Sequence, residues 1–217
     1  MSWMPEHRSL LEEGLASLGL QAGGEALERL ERFAREILLW NPAYGLLGVA
    51  PGESPEETAV RHILDSLAPL SLIRQEAPAS LGDVGSGAGF PGVPLAVMLE
   101  DTEVTLIEKM GRRCDFLRNA VAVLGMKERI RILQQPLEKV TETFDGVTLR
   151  AFSPLPRVLA DLLRITRPGG AVYAYKGRGE VIREELRQER GWEIRPLAVP
   201  FLEGERHLVF FRKPPEA

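Results

Sequence analysis

The sequence predicts an α/β fold in which a seven-stranded, mostly parallel sheet ends in an antiparallel hairpin and follows a set of N-terminal helices. Three observations predict it. From Pro78 onward, short apolar runs alternate with helical stretches. Only a short turn around Glu203-Gly204-Glu205 separates the last two runs. The first third of the chain carries apolar residues at helical spacing, with acidic residues between them.

Gly24 to Trp40 places Leu27, Leu30, Phe33, Ile37 and Leu38 at helical spacing, and Asn41-Pro42 should stop that helix. A looser segment, residues 43–52, follows. Ser54-Pro55-Glu56-Glu57 then combines an N-cap, a proline suited to the first helical position and a capping-box glutamate, opening a helix from about Pro55 to Arg74. Strands are expected at Ser80 to Val84, Glu103 to Glu108, Ile130 to Leu133, Phe144 to Leu149, Ala171 to Tyr175, Trp192 to Val199 and His207 to Arg212. Helical patterns separate the first six, whereas the sixth and seventh should pair directly as a hairpin. Met110, Cys114, Leu117, Val121 and Leu124 form one helical stripe, which makes Cys114 a core residue. The expected division is an N-terminal helical lobe, residues 1–76, packed on an α/β domain, residues 77–217.

Composition narrows the function. Of 217 residues, 44% are apolar and 27% charged, enough for one sizeable core. No uncharged apolar stretch approaches the ~18 residues of a membrane span, and Met1 to Glu6 lacks the basic start of a signal peptide. A cytoplasmic monomer without membrane contact is the expectation. One cysteine excludes an internal disulfide, and His7, His62 and His207 lie too far apart for metal-ligand spacing. The net charge of -4 argues against coating nucleic acid by charge alone, but the charge is uneven: residues 1–80 carry 6 Lys/Arg against 12 Asp/Glu, and Lys109 to Arg131 carries 7 against 2. Within that basic stretch Lys109, Arg112, Arg113 and Arg118 lie mostly off the apolar stripe, free to face solvent or RNA.

Gly85, Gly87 and Gly89 follow the first strand and precede a helix, so the backbone can turn tightly against a ligand. Gly87-Ala88-Gly89-Phe90-Pro91-Gly92 also satisfies the dinucleotide spacing, so the turn by itself fits a nicotinamide cofactor as well as S-adenosylmethionine. Asp83 at the strand end favours the second: its carboxylate would attract a cationic, phosphate-free cofactor and repel a pyrophosphate. A loop-bracing role is the alternative for Asp83. Glu108 ends the second strand, 19 residues after Gly89, where a carboxylate can accept from both hydroxyls of a ribose. Leu137 and Glu138 follow the third strand where an adenine would rest, with an amide and a carboxylate to offer, although Glu138 could equally cap a helix. Arg150 and Lys176 stand at the carboxyl ends of the fourth and fifth strands, the edge where ligands bind in open α/β sheets. They are the candidate catalytic residues. RNA phosphate is a natural partner for both, with Arg178 beside Lys176, and Arg150 could orient the target base; a salt bridge to Asp145 or Glu180 is the other reading. His62, Asp65 and Ser66 share one helical face, where His62 serves as a strut or supports a site.

Arg61-His62-Ile63-Leu64-Asp65-Ser66-Leu67, Asp83-Val84-Gly85-Ser86-Gly87-Ala88-Gly89-Phe90-Pro91-Gly92, Arg150-Ala151-Phe152 and Lys176-Gly177 together resemble the bacterial 16S ribosomal RNA guanine-N7 methyltransferase family, also called glucose-inhibited division protein B. The likeness covers nearly the whole chain and keeps the segments in order. It implies a Rossmann-like class I S-adenosylmethionine-dependent methyltransferase fold, with cofactor contacts at Gly85, Phe90, Leu137, Glu138 and Arg150. It also implies a substrate, the 16S ribosomal RNA of the 30S subunit, methylated at a guanine of the 530 loop (guanine 527). Where the family usually has Tyr-Asn-Leu-Thr after the Trp-Asn pair, this chain has Tyr44-Gly45-Leu46-Leu47. The residues by themselves leave open a methyltransferase for another RNA, a protein or a small molecule, and a cofactor- or ribosome-binding module without turnover.

Overall fold

A computed structural model describes residues 3–47, 54–151, 154–187 and 189–216. Helices α1 (Pro5–Ser17) and α2 (Gly24–Tyr44) come first. Next is one continuous helical run, in which α3 (Pro55–Glu57) passes through a π-helical segment (Thr58–Leu64) into α4 (Asp65–Leu67), and α5 (Leu70–Glu76) follows. The sheet comprises β1 (Ser80–Val84), β2 (Glu103–Ile107), β3 (Ile130–Leu133), β4 (Phe144–Arg150), β5 (Thr166–Lys176), β6 (Glu193–Pro196) and β7 (His207–Arg212). Between the strands lie α6 (Gly92–Met98), α7 (Gly111–Val123), a 3₁₀ turn (Leu137–Lys139), α8 (Leu155–Ile165) and α9 (Gly179–Glu185).

The strand order is β3-β2-β1-β4-β5-β7-β6. The first five strands are parallel, and β7 inserts antiparallel between β5 and β6, pairing Tyr173 with Phe210 on one side and Ile194 with Val209 on the other. The expected sheet and terminal hairpin are therefore present. Side chains of β5 alternate between two cores: Ala171, Tyr173 and Tyr175 pack with the N-terminal helices, α6 and α7, while Val172 and Ala174 pack with α8 and α9. Apolar layers on both faces are what make these strands read as continuous hydrophobic runs.

Strand β5 starts at Thr166 rather than Ala171 and β6 ends at Pro196 rather than Val199, and two expected helix boundaries also move. Helix α2 continues through Pro42 to Tyr44, and Gly45, in the left-handed conformation at φ 60°, caps it by donating to the Asn41 carbonyl at 2.8 Å. Pro42 removes one helical hydrogen bond, yet the last turn is held by Trp40 packed edge-on against Tyr44 and by Arg112 donating to the Ala43 carbonyl at 2.8 Å. The helix expected from Pro55 to Arg74 does open on the Ser54/Glu57 capping box, with both reciprocal hydrogen bonds at 3.0 Å. It then breaks at Ala68-Pro69: Ala68 keeps helical dihedrals, but Pro69, which has no N–H to donate to the preceding turn, leaves them with ψ at 10°. The loose segment beyond Leu47 lies outside the described residues, as does Phe152.

Candidate active site

Two clefts open at the carboxyl ends of the strands and share Gly85, Arg113 and Ala151 as a common border. The first, about 500 Å³, is lined by Val84, Ile107, Glu108, Met110, Leu137 and Glu138, among others. The second, about 630 Å³, is lined by His62, Asp65, Gly87, Phe90, Arg150, Tyr175, Lys176 and Arg206, together with Leu46 and Leu47. Leu47 and Gly45 thus give an apolar wall and a helix cap where the family pattern has polar side chains.

Glu108 is the anchor of the first cleft. Its side chain is 4% exposed; one oxygen accepts the Gly87 amide at 3.0 Å, the other the Met110 amide at 2.9 Å, and Arg113 lies 3.7 Å away. Each carboxylate oxygen keeps a further lone pair for a ligand donor. Leu137 and Glu138 stand on the 3₁₀ turn opposite, Leu137 buried and Glu138 exposed. Gly85 (φ 65°) and Gly87 (φ 61°) turn between the clefts in a conformation that keeps side chains out of the way.

Asp83 and Gly89, expected at the cofactor, hold their places near the end of β1 and in the turn before α6 but line neither cleft. Asp83 is fully buried behind the turn and lines neither cleft; one carboxylate oxygen accepts the Gly92 amide at 3.1 Å, and the other has no hydrogen-bond partner. Burial pushes its carboxyl up to about 6, against the opposing influence of the Ser86 hydroxyl and the Gly92 amide. Gly92 lets the helix start approach this closely, since a Cβ there would sit 2.6 Å from the carboxylate. Asp83 is a brace for the turn, the alternative weighed for it. Gly89 also faces inward: a Cβ there would lie 3.0 Å from the Phe33 ring of α2 and 2.9 Å from Val93, so its freedom serves packing.

In the second cleft Arg150 is held from several sides. It donates to Asp65 at 3.0 Å and to the Arg61 carbonyl at 3.2 Å, and its guanidinium lies 5.0 Å from the centre of the Phe90 ring. Its remaining contact, 3.0 Å to His62 Nδ1, requires that nitrogen to accept, which leaves the neutral ring's proton on Nε2. His62 in turn stacks on Phe90 with ring centroids 5.0 Å apart. Asp65, 6% exposed, also accepts from Arg206 at 3.1 Å, and Tyr175 donates its hydroxyl to the Ser66 carbonyl at 2.7 Å. Lys176 pairs with Glu185 at 2.9 Å. The anions suggested for these two cations are therefore corrected: Asp145 instead holds Arg167 and the Ser80 backbone, and Glu180 is not the Lys176 partner. Arg206, Phe90 as a packing plane and Asp65 as a shared anchor are the residues of this cluster that the pattern did not resolve.

The basic helix is divided. Arg113 borders both clefts and Lys109 lines the first, whereas Arg112 lies over the Tyr44 ring and Arg118 bonds Asp115 and Gln134. Arg178 is exposed at the start of α9. Cys114 is buried, with burial raising its thiol, as the helical stripe implied; Met110 is half-exposed.

A family model described as rRNA small subunit methyltransferase G matches residues 26–209. Proteins named ribosomal RNA small subunit methyltransferase G from Stenotrophomonas maltophilia and Treponema pallidum subsp. pallidum are each 38% identical to this chain. The first alignment covers 92% of both chains, and the second covers 97% of this one and 96% of the relative. Among solved structures, an O-methyltransferase from Bacillus cereus in complex with SAH superposes with a TM-score of 0.62 at 16% identity, covering 97% of this chain and all of that one. The fold and the glycine turn beside Glu108 define an S-adenosylmethionine-dependent methyltransferase. More particularly, the chain belongs to the rRNA small subunit methyltransferase G family, and its activity is S-adenosylmethionine-dependent methylation of ribosomal RNA.

The residues present fit that cofactor. An uncapped pair of lone pairs on buried Glu108, apolar walls at Ile107 and Leu137, and a turn without side chains suit an adenosyl group that carries no phosphate.

Proposed function

We propose that this enzyme methylates N7 of a guanine in the 530 loop of 16S ribosomal RNA (guanine 527), with the 30S particle as substrate, as a cytoplasmic monomer. The observation that carries the reading is the meeting of two chemically different clefts at Gly85, Arg113 and Ala151, one with an acidic, adenosine-sized character and one walled by Phe90, Arg150 and Lys176. Family membership supplies the substrate class.

In this reading Glu108 accepts from the ribose hydroxyls, the Leu137 amide and Glu138 hold the adenine, and Gly85 and Gly87 let the backbone lie against the donor. When bound, S-adenosylmethionine supplies an electrophilic methyl group on a sulfonium. Phe90 and Arg150, which the family likeness sets at the cofactor, line the second cleft and in this reading receive the base with Lys176, while Lys109, Arg112, Arg113, Arg118 and Arg178 meet RNA phosphates. N7 of guanine carries a free lone pair and no proton, so no side chain has to act as a base. The protein's contribution is alignment and a fixed polar wall: Arg150 is immobilised by Asp65, His62 and Phe90, so its charge needs no reorganisation when a base enters.

The test is methyl transfer from labelled cofactor to purified 30S subunits that lack the modification, followed by nucleoside analysis. The expected product is 7-methylguanosine at one site, formed at a rate that changes less than about twofold between pH 7 and 9. Label in a different nucleoside, or in ribosomal protein, would overturn the assignment.

A further inference from the structure

The connection between β6 and β7 holds a feature that the fold does not require. Leu202 donates to the Val199 carbonyl at 3.2 Å, closing a turn with Pro200 in its second position and Phe201 in its third. Phe201 has φ 63°, the left-handed value that a type II turn normally reserves for glycine. A bulky side chain is strained there. Burial does not explain the strain: Val199 is buried and Leu202 packs on the core, but the Phe201 ring between them is 55% exposed.

The position of this turn matters. Leu197 before it and Arg206 and His207 after it line the Arg150 cleft. The connection is fixed to its surroundings by Arg206 on Asp65, by the Gly179 amide donating to Glu205 at 2.8 Å, and by the 2.7 Å contact between His207 Nδ1 and the Gly177 carbonyl. The last two ties bring the Lys176-to-Gly179 loop, with exposed Arg178, to the same rim. An exposed aromatic residue is thus carried on the connection whose two ends line the pocket proposed for the target base, and three contacts tie that connection down.

We propose that Phe201 is a stacking platform for an unpaired base of the RNA substrate adjacent to the methylated one. An exposed aromatic face is what single-stranded RNA bases recognise irrespective of sequence, with nearby guanidinium groups meeting the phosphates. The inference rests on the proposed RNA reading of the cleft.

Three variants test it on unmodified 30S subunits: Phe201→Gly, Phe201→Ala and Phe201→Trp. A lost base stack predicts a KM for 30S raised about tenfold in the glycine and alanine variants. The dissociation constant for S-adenosylhomocysteine should be unchanged in both, and the melting temperature of the glycine variant should equal or exceed that of the parent, since glycine relieves the turn. Phe201→Trp should keep the parental KM and gain tryptophan fluorescence that RNA quenches. A glycine variant with parental KM, or a tryptophan variant as impaired as alanine, would overturn the stacking role while leaving the rRNA reading intact. A parent enzyme that binds S-adenosylhomocysteine but transfers no methyl group to 30S would instead overturn the rRNA reading, and the stacking role with it.

Discussion

Asp65 and Asp83 are both buried carboxylates, and their partners give them opposite consequences. Asp65 accepts from two guanidiniums, Arg150 and Arg206, so removing its charge leaves two cations without their shared anchor. Asp65→Ala is expected to cost about 3 kcal/mol of stability, the scale of breaking a buried ion pair, and to lower methylation as Arg150 loses its fixed position. Urea unfolding and a rate assay check this together; unchanged values in both would remove Asp65 from the site. Asp83 has one amide donor and an unpartnered oxygen, and its carboxyl is raised to about 6 from 3.8. The folded state therefore holds this proton more tightly than the unfolded chain. Stability from this group is complete below about pH 4, falls as pH rises to 6, and is lower by about 3 kcal/mol at neutral pH. Asp83→Asn removes that loss, with its amide oxygen accepting from Gly92 and its NH₂ aimed at Ser86. Its stability relative to the parent should rise by about 3 kcal/mol between pH 4 and 7.5 in urea unfolding; a pH-independent difference would refute titration near 6. Glu108, Leu137 and Glu138 were legible from spacing because each lies at a strand end or just beyond. Asp83 was not, since its burial depends on how closely Gly92 approaches. The Arg150 partners come from 85 and 88 residues away, beyond any local pattern.

The capping box, the helical stripes and the seven strands follow from periodicity and turn chemistry, and they were readable as such. The π-helical segment was not, because its residues, Thr58–Leu64, carry no composition that distinguishes a π turn from an α turn. Its geometry is a matter of tertiary contact: Leu64 is packed against Gly14 of α1 so closely that a Cβ on Gly14 would come within 2.2 Å of it. The same segment carries His62 and leads directly into Asp65. Gly14→Ala is accordingly expected to cost about 1–3 kcal/mol through overpacking and to slow methylation by displacing His62. Adding Leu64→Ala makes room, so the double variant should be more active than Gly14→Ala. A double variant with strictly additive losses would contradict this coupling. The end of α2 was misread for a related reason: Pro42 is a local stop signal, overruled by Arg112, which comes from 69 residues further along the chain.

Across the whole molecule, one hydrophobic cluster joins the N-terminal helices to the sheet, with the Phe33 ring 5.1 Å from Phe90 and 6.5 Å from Phe116. We propose that residues 1–76 are a lobe of the enzyme in space and an integral part of its core in energy. A chain of residues 77–217 alone would expose that apolar face, and it is expected to aggregate or to melt without a cooperative transition in calorimetry. A sharp, reversible transition for the fragment would show the two parts to be independent. The final hairpin was legible from the short turn between the last two runs, whereas the entry of β7 rather than β6 beside β5 was not, since either strand could pair with the other from that place. That insertion also sets a timetable for synthesis. Arg206 and His207, the last residues to join the Arg150 cleft, reach it only with the final strand. A nascent chain ending before them lacks these two cleft residues together with the strand that joins β5 to β6 and supplies Leu208, Val209 and Phe210 to the two cores, so the Arg150 cleft is finished only as the sheet itself is.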